Sequence, residues 1–325
     1  MSQVTVDEIS RRLLGLLQVR FPLVREPFRT LGAESGVSGE EVIARIQVLK
    51  DEGLVRQIGP IFDSRRLGFQ TTLAGMKVPE IRLENAALKI IAHPGISHGY
   101  LRNHEINLWI TLAVSSETDI VTELHKLADA IPAEQVFNLP VVRFFKLKAV
   151  FGVEDIEESP TCALSINDQL SNVDKKIVNV IQTDLPLIQQ PFDGFAEKLE
   201  MDTDDFLTGC RSLLKRGIMR RFSAAVNHRR AGYGANAMVC WHAGPEQVES
   251  LGNRLAALKT VSHCYERKVN SFWRYNLFAM LHGLSEAECL NTAAQVAAKT
   301  GNADYVLLFS TREIKKQRVK YTVQD

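Results

Sequence analysis

The residues best suited to chemistry form two copies of one short motif, in which histidine, tyrosine and arginine stand at alternate positions. The copies are Ser97-His98-x-Tyr100-x-Arg102 and Ser262-His263-x-Tyr265-x-Arg267. Because successive side chains of a strand point to opposite faces, each trio would project from one side. A row of proton donor, hydroxyl and fixed cation is costly to bury without a ligand. The recurrence of the row favours a ligand site over the alternative, a solvated sheet face or an internal row of salt bridges.

A second cluster places arginines side by side. Its copies are Arg65-Arg66 and His228-Arg229-Arg230. Guanidinium groups bind planar carboxylates through two parallel hydrogen bonds, so the pairs suit an anionic ligand, and the alternative is a solvated basic turn. The two copies differ, because Ser64 stands where the second half has His228. His104 in the first half also faces no histidine in the second.

Other chemistry-bearing residues give weaker signals. The remaining histidines lack metal-ligand spacing and are interpreted as structural or solvent-facing: His93, His125, His242 and His282. The five cysteines are scattered and form no C-x-x-C pair, which argues against a disulfide framework, a zinc site or a cysteine-ligated cluster. No phosphate-binding loop, dinucleotide fingerprint, zinc-protease motif or nucleophile elbow occurs.

The elements that would position these residues occur twice, because the second half of the chain repeats the first. Matching segments include Pro22-Leu23 with Pro186-Leu187, Gly53 with Gly217, and Arg65-Arg66-Leu67-Gly68-Phe69 with Arg229-Arg230-Ala231-Gly232-Tyr233. A length of 325 residues suits two pairs of small domains. We therefore predict an internal duplication.

Each half is predicted to begin with a winged helix-turn-helix. Three helical patterns lead to a β-rich segment, 54–62, and Ser38 with Glu41 forms a capping box before the third helix. Gly53 supplies its left-handed end. In the second half, Ser171 and Asp174 cap the first helix.

Beyond these helices the elements shorten and alternate in the order β-α-β-β-α-β, which is the ferredoxin-like unit. The predicted fold class is α+β, a tandem duplication of a winged helix-turn-helix and a ferredoxin-like (βαββαβ) domain. The predicted bounds are 1–66 (winged helix), 67–153 (ferredoxin-like), 154–167 (linker), 168–230 (winged helix) and 231–325 (ferredoxin-like).

Charge and composition limit the partners. With Lys+Arg 39 and Asp+Glu 38, no overall field attracts nucleic acid or an anionic membrane. The third helices of the two winged domains begin with acidic residues: Glu40 and Glu41, then Asp202, Asp204 and Asp205. Phosphate contact needs the opposite sign, so the pattern disfavours DNA binding. No apolar stretch is long enough to cross a membrane, and the polar first residues favour a cytoplasmic protein.

Four segments carry a resemblance to a known family. They are GPIFDSRRLGFQTTLAGMKV, FSAAVNHRRAGYGANAMVCWHAG, ISHGYLRNHEINLWITL and VSHCYERKVNSFWRYNLFAML. These segments resemble the paired halves of the sirohaem decarboxylases, an enzyme branch of the Lrp/AsnC superfamily, and the resemblance covers essentially the whole chain. The first half resembles the subunit with serine before the arginines, and the second resembles the subunit with histidine. The chain is thus similar to a fused form of a two-subunit enzyme.

The resemblance implies removal of the C12 and C18 acetate carboxyls of sirohaem as carbon dioxide, giving 12,18-didecarboxysirohaem for haem d1 or alternative haem biosynthesis. Sirohaem is a flat iron-bearing ring fringed by carboxylates, so its site needs cations, an apolar floor and a proton donor. The catalytic candidates are His228, His263 and Tyr265. The substrate-binding candidates are Arg229, Arg230, Arg267, Arg65, Arg66, His98, Tyr100, Arg102 and His104. Any of the histidines can instead ligate the substrate iron, and the sequence leaves that choice open.

No intrinsic metal or cofactor is expected, because the iron enters with the sirohaem substrate. We expect the two halves to form a pseudo-dimer through apolar sheet faces such as Leu108, Ile110 and Leu112. A homodimer and contacts with other haem d1 or haem biosynthesis proteins stay open. The alternative function is an Lrp/AsnC-like transcription regulator that binds a tetrapyrrole without turning it over.

Overall fold

The computed structural model describes residues 7–147, 169–227 and 234–324. The chain divides into two compact units, and each unit takes parts from both halves of the sequence. The winged-helix unit comprises Met1–Gly68, Val150–Gly232 and Tyr321–Asp325, and the sheet unit comprises Phe69–Ala149 and Tyr233–Lys320. The predicted linker at 154–167 and the predicted cluster His228-Arg229-Arg230 lie outside the described residues.

The order of helices and strands repeats between the halves. The first half contains α1 (Glu8–Val19), α2 (Pro27–Ser35), α3 (Gly39–Asp51), β1 (Val55–Phe62), β2 (Phe69–Lys77), α4 (Leu83–Ala92), β3 (Ile96–Arg102), β4 (Leu108–Ser115), α5 (Ile120–Ala130), β5 (Gln135–Leu139) and β6 (Val141–Leu147). The second half contains α6 (Asn172–Ile181), α7 (Asp193–Glu197), α8 (Thr203–Lys215), β7 (Met219–Val226), β8 (Ala235–Trp241), α9 (Pro245–Ala257), β9 (Val261–Arg267), β10 (Leu277–Gly283), α10 (Glu286–Thr300) and β11 (Tyr305–Lys316). This order confirms the predicted α+β tandem duplication.

The helices of the winged-helix unit begin and end at residues that the sequence singles out. The Ser38 hydroxyl caps α3, and Ser171 and Asp174 form a complete capping box at the start of α6. Gly53 and Gly217 follow α3 and α8 with φ of 66° and 68°, a left-handed conformation that glycine adopts without steric cost. Local sequence therefore fixes the helix ends in both copies.

The two winged helices are joined through their strands and their core. Strands β1 and β7 pair antiparallel, with Gly59 opposite Ser223, so each predicted β-rich segment finds its partner in the other half. The ring of Phe21 lies 5.6 Å from that of Phe222 and 6.5 Å from that of Phe192, measured between centroids. Each copy thus completes the other's sheet and apolar core.

The strands of the sheet unit form a nine-stranded sheet within the described residues, in the order β5-β2-β4-β3-β11-β8-β10-β9-β6. Two of them cross between the halves. Strand β6 of the first half pairs with β9, while β11 of the second half pairs first with β8 and then with β3. The predicted β-α-β-β-α-β order has a single last strand in the first half, and this part of the prediction is wrong, because the structure has two strands there, β5 and β6. Pro140 separates β5 from β6, because proline has no N–H to donate to a strand ladder.

The apolar face chosen from the sequence for contact between the halves is not the shared one. Leu108, Ile110 and Leu112 pack under α4 and α5 in the core of their own half. The shared core lies on the opposite face of the sheet, where the rings of Trp109 and Trp273 meet with centroids 5.0 Å apart. Alternation along β4 explains the difference, since Trp109 points away from its two neighbours.

Candidate active site

Two matching rows of polar side chains run along β3 and β9 in the sheet unit. The rings of His98 and Tyr100 stack with centroids 6.4 Å apart, and those of His263 and Tyr265 stack at 6.1 Å. The arginine that ends each row lies over the tyrosine ring, at 5.5 Å on β3 and 4.9 Å on β9. The four rings are half-buried, so each pair is held by the protein yet reachable by a ligand.

The two arginines also tie the halves of the sheet unit together. Arg102 Nη1 donates to the carbonyl oxygen of Leu308 on β11, and Arg267 Nη1 donates to that of Leu139 on β5, both at 2.7 Å. Burial lowers the pKa of both guanidinium groups to about 10, so both remain cationic at neutral pH. Within the described residues, neither Nε has a hydrogen-bond partner. Each guanidinium therefore keeps one buried N–H donor unsatisfied, which is costly in a protein interior.

A serine precedes each row and contacts its histidine. Ser97 Oγ lies 2.8 Å from His98 Nδ1, and Ser262 Oγ lies 2.8 Å from His263 Nδ1. In the second half, the same hydroxyl also lies 2.8 Å from Nε2 of His282 on β10. Burial lowers the pKa of His282 to about 4. From the sequence alone His282 is interpreted as structural or solvent-facing, because its contact with Ser262 depends on the pairing of β9 with β10.

The strand beside each row differs between the halves. Tyr100 faces Glu313 on β11, whereas Tyr265 faces Phe144 on β6. The rings of Phe144 and Tyr265 lie 5.5 Å apart in an edge-to-face arrangement, and Phe144 is 41% exposed. The neighbouring strand thus places an aromatic ring beside the second row and a carboxylate beside the first.

The paired arginines of the first half belong to the winged-helix unit, where they follow Asp63 on a 3₁₀ helix, Ser64–Leu67. Asp63 caps this helix by accepting from the backbone N of Arg65 at 3.1 Å. Arg66 Nη1 donates to the carbonyl oxygen of Arg216 at 3.0 Å. Both arginines thus have protein partners in their own unit, and their role toward a ligand stays a prediction. The matching cluster of the second half is among the residues not described.

His104 lies between β3 and β4, beside the shared core. Its Nδ1 accepts a hydrogen bond from the backbone N of Ile106 at 3.0 Å, and its ring meets that of Trp273 edge-on at 5.5 Å. Burial lowers its pKa. These contacts make His104 a neutral packing residue at neutral pH, and its role in substrate binding stays a prediction.

The described part of the chain offers few other sources of chemistry. It contains no group of three or more histidine, cysteine or acidic side chains arranged to hold a metal ion. Burial raises the pKa of the thiols of Cys210, Cys240, Cys264 and Cys289, which keeps them protonated and poorly nucleophilic. None of the helices within the described ranges combines the length and apolar character that a bilayer crossing requires.

Two family models match this chain. The model described as "AsnC-like ligand binding domain" matches residues 66–146 and 230–315. The model described as "Siroheme decarboxylase NirDL-like HTH domain" matches residues 10–56 and 174–220. Fold and site thus define a chain with two helix-turn-helix modules and two AsnC-like ligand-binding modules, with a candidate site on the latter.

Comparison with individual proteins shows which family, among chains with AsnC-like ligand-binding modules, this chain belongs to. The chain is 39% identical to "Siroheme decarboxylase" of Hydrogenobacter thermophilus, over 97% of this chain and 95% of that protein. It is 38% identical to "Siroheme decarboxylase beta subunit" of Methanosarcina barkeri, over 46% of this chain and 99% of that subunit. The crystal structure of the siroheme decarboxylase NirDL in co-complex with an iron-uroporphyrin III analogue is 35% identical, with a TM-score of 0.75 over 97% of this chain and 95% of that one. The chain belongs to the sirohaem decarboxylase family, and it is about as long as two such subunits joined.

Proposed function

We propose that this chain is a sirohaem decarboxylase that removes the C12 and C18 acetate carboxyls as carbon dioxide, giving 12,18-didecarboxysirohaem for haem d1 or alternative haem biosynthesis. The observation that carries the proposal is the duplicated row of histidine, tyrosine and buried arginine in a chain that belongs to this enzyme family. A flat ring fringed by carboxylates matches the chemistry of the rows. Imidazole and phenol rings offer a surface for the macrocycle, and the arginines offer charge for its rim.

The chemistry requires a proton donor near the reacting carbon. When carbon dioxide leaves, its bonding electron pair stays on the methylene carbon and is delocalised into the adjoining pyrrole. A proton added to that carbon then completes the methyl group. We assign the role of acid to His228 and His263, with Tyr265 orienting or relaying the proton.

The remaining candidates bind the substrate. Arg229, Arg230 and Arg267 hold carboxylates in the second half, and Arg65, Arg66 and Arg102 are their first-half counterparts. His98, Tyr100 and His104 complete the first-half set. Arg102 and Arg267 are best supported, because each is a cation that ends one of the two rows and lies over the tyrosine ring of that row. The iron belongs to the substrate, and we propose no resident cofactor.

The direct experiment is a mass spectrum of sirohaem after anaerobic incubation with the pure protein. We expect two successive losses, each equal to the mass of one carbon dioxide. Sirohaem recovered intact, at enzyme concentrations that bind it fully, would refute the proposed activity.

A second candidate, a tetrapyrrole-binding transcription regulator, is favoured by the two helix-turn-helix modules. Its weakness is charge, since Glu40 and Glu41 lie in the first turn of α3, and Asp204 and Asp205 lie in that of α8. We therefore expect no specific DNA binding. A mobility-shift assay at low salt, with and without tetrapyrrole, separates the two, because tight and salt-sensitive binding to one duplex would favour the regulator.

We further propose that the enzyme works in the cytoplasm, with its two halves acting as one pseudo-dimer. The exchange of β6 and β11 between the halves supports the second statement. Gel filtration at micromolar concentration distinguishes a single chain from a homodimer, and pull-down from cell extract tests association with other haem biosynthesis proteins.

A further inference from the structure

Strand β11 ends in two consecutive lysines that point to opposite faces of the sheet. Lys315 lies on the face that carries the helices, since its Nζ donates to the carbonyl oxygens of Ile91 and His93 at the end of α4, at 2.9 and 2.6 Å. Because successive side chains of a strand alternate, Lys316 points to the opposite face. Lys316 therefore does not share the helix-capping role of its neighbour.

Strand pairing sets Lys316 beside the first row. It stands directly opposite His98, while Lys315 stands opposite Gly99. A Cβ atom on Gly99 would lie 2.6 Å from Cγ2 of Ile90 in α4, so this second pair lies on the helix face. Residues directly opposite in an antiparallel pair have Cβ atoms about 4.5–5.5 Å apart. Lys316 and His98 are therefore neighbours on the face that carries the row.

The charge of Lys316 also acts on the second half of the chain. Burial lowers the pKa of His282 to about 4, and the charges of His263 and Lys316 act in the same direction. His282 belongs to the second row's surroundings, because its Nε2 lies 2.8 Å from Ser262 Oγ. The lysine is half-buried. Its ammonium group thus lies close to histidines of both halves and within reach of a ligand.

The duplication separates the roles of the two lysines. Lys146 on β6 donates to a carbonyl oxygen at the end of α9, at 2.7 Å, and thus matches Lys315. The next residue, Leu147, stands opposite His263 and matches Lys316. The lysine that caps a helix is therefore present in both copies, whereas the lysine beside a row is present in one. A cation that the duplicated scaffold does not require in both copies suits a role toward the ligand.

We propose that Lys316 binds a carboxylate on the rim of the macrocycle, beside the histidine of the first row. The inference rests on the proposed function, whose substrate is fringed by acetate and propionate arms. An ammonium group is a compact charge on a flexible stem, so it can follow a carboxylate on a flexible arm. Arg102 and Arg267 supply charge at the other ends of the rows. The rim is thus held at separated points, which fixes the orientation of the ring.

A neighbouring acid on β11 defines the competing role for this lysine. Glu313 stands opposite Tyr100, so it shares the face of the first row with Lys316. The competing role is to balance the charge of Glu313 without touching the ligand. The two roles differ in one respect, because a lysine that only balances charge becomes dispensable once Glu313 is made neutral. A lysine that binds a carboxylate of the ligand is still needed in that background.

The test is absorption titration with two ligands, iron uroporphyrin III, which has acetate and propionate arms, and iron coproporphyrin III, in which methyl groups replace the acetates. Lys316→Gln should weaken binding of iron uroporphyrin III roughly 10-fold, the low end of the contribution of a hydrogen bond to a charged group. Lys316→Arg keeps the charge and should bind nearly as tightly as the unaltered protein. A loss confined to iron uroporphyrin III assigns the contact to an acetate, and an equal loss with both ligands assigns it to a propionate.

Controls separate this contact from general charge, from folding and from the proposed function. Lys299→Gln removes an exposed charge in the last turn of α10 and should leave both affinities unchanged. In a Glu313→Gln background, Lys316→Gln should still weaken binding. Should Lys316→Gln fail to fold, Lys316→Met takes its place. The proposal is overturned by no loss with either ligand, by an equal loss for Lys299→Gln, or by a loss that disappears in the Glu313→Gln background. Sirohaem that binds to the unaltered protein but loses no carbon dioxide instead refutes the proposed function.

Discussion

The rows on β3 and β9 share a scaffold but differ in what surrounds them. Both stack histidine on tyrosine, and both anchor their arginine on a carbonyl of the other half. The second row alone has a second histidine behind its serine and an aromatic ring beside its tyrosine. After a duplication, contacts that hold the two halves together must persist in both copies, whereas chemistry needs only one. We infer that the second copy holds the working site and the first copy serves binding and support.

The largest expected effect is on the rate of catalysis, and it comes from a change in the cluster His228-Arg229-Arg230. His228→Ala should slow the single-turnover rate by roughly 10²–10⁴-fold, as expected for the loss of a general acid, while binding persists through the neighbouring arginines. The matched change is Ser64→Ala, which should leave the rate near normal because a serine hydroxyl gives up no proton near neutral pH. Equal losses in the two variants would show that the copies are not specialised in this cluster.

A smaller effect is expected on affinity. Arg230→Ala should weaken sirohaem binding by about 1.5–3 kcal/mol, the usual contribution of a hydrogen bond to a charged group, with little change in the rate of bound substrate. Absorption titration of the chromophore measures the change. Arg66→Ala is the matched variant and should weaken binding less, since Arg66 is already engaged with the carbonyl of Arg216. A greater loss for Arg66→Ala would place the main carboxylate clamp in the first half.

The winged helices offer a comparison in stability. Asp174 lies in the capping box of α6, 2.9 Å from Arg216 Nη1. Burial alone would raise the pKa of its carboxyl, but the hydrogen bonds from Arg216 and Ser171 outweigh burial and lower it. A lowered pKa stabilises the fold above the unfolded value of about 3.9, and this stabilisation is lost as the pH falls through the folded pKa.

Asp174→Asn should therefore lower the free energy of unfolding by about 1–2 kcal/mol near neutral pH. The difference from the unaltered protein should shrink as the pH falls from about 4, where the unfolded chain takes up a proton, through the lower pKa of the folded protein. Urea unfolding across this pH range measures it. In the first copy the N-cap of α1 is Asp7, which accepts from the backbone N of Ser10, so Asp7→Asn gives a comparison with an exposed carboxylate and should cost less. A difference that stays constant with pH would assign the effect to shape rather than charge.

The smallest effect is expected at the strands beside the rows. Phe144→Ala should weaken binding by about 0.5–1 kcal/mol, because an aromatic contact to the macrocycle is removed. Glu313→Ala, the matched change, should leave binding unchanged or strengthen it, since it removes a negative charge near a carboxylate-rich ligand. Weaker binding for Glu313→Ala, together with unchanged or stronger binding for Phe144→Ala, would indicate that the macrocycle lies over the first row.

The sequence predicts most of the fold because the duplication supplies most elements twice, and because caps such as Ser38 and Ser171 mark the helix starts. It does not predict the exchange of β6 and β11, since pairing partners are set by contacts distant in the chain. Pro140 is the local signal of that exchange, and it marks only a break.

In the candidate site, too, some contacts can be predicted from the sequence and others cannot. Alternation along a strand is enough to place His98 with Tyr100 and His263 with Tyr265. The contact of His282 with Ser262 is invisible in sequence, since no spacing rule relates the two residues before β9 and β10 are paired. The carbonyl partners of Arg102 and Arg267 are equally hidden, because they lie in the opposite half of the chain.

The central claim is that the two copies of the site differ in catalysis. Its most direct test is to compare the single-turnover rates of anaerobic sirohaem decarboxylation by His263→Ala, His98→Ala and His104→Ala. If the second copy holds the working site, His263→Ala slows the reaction sharply while the two first-half variants decarboxylate at near-normal rates once substrate is saturating. If His98→Ala or His104→Ala abolishes the reaction and His263→Ala does not, the working site lies in the first half and the assignment is inverted.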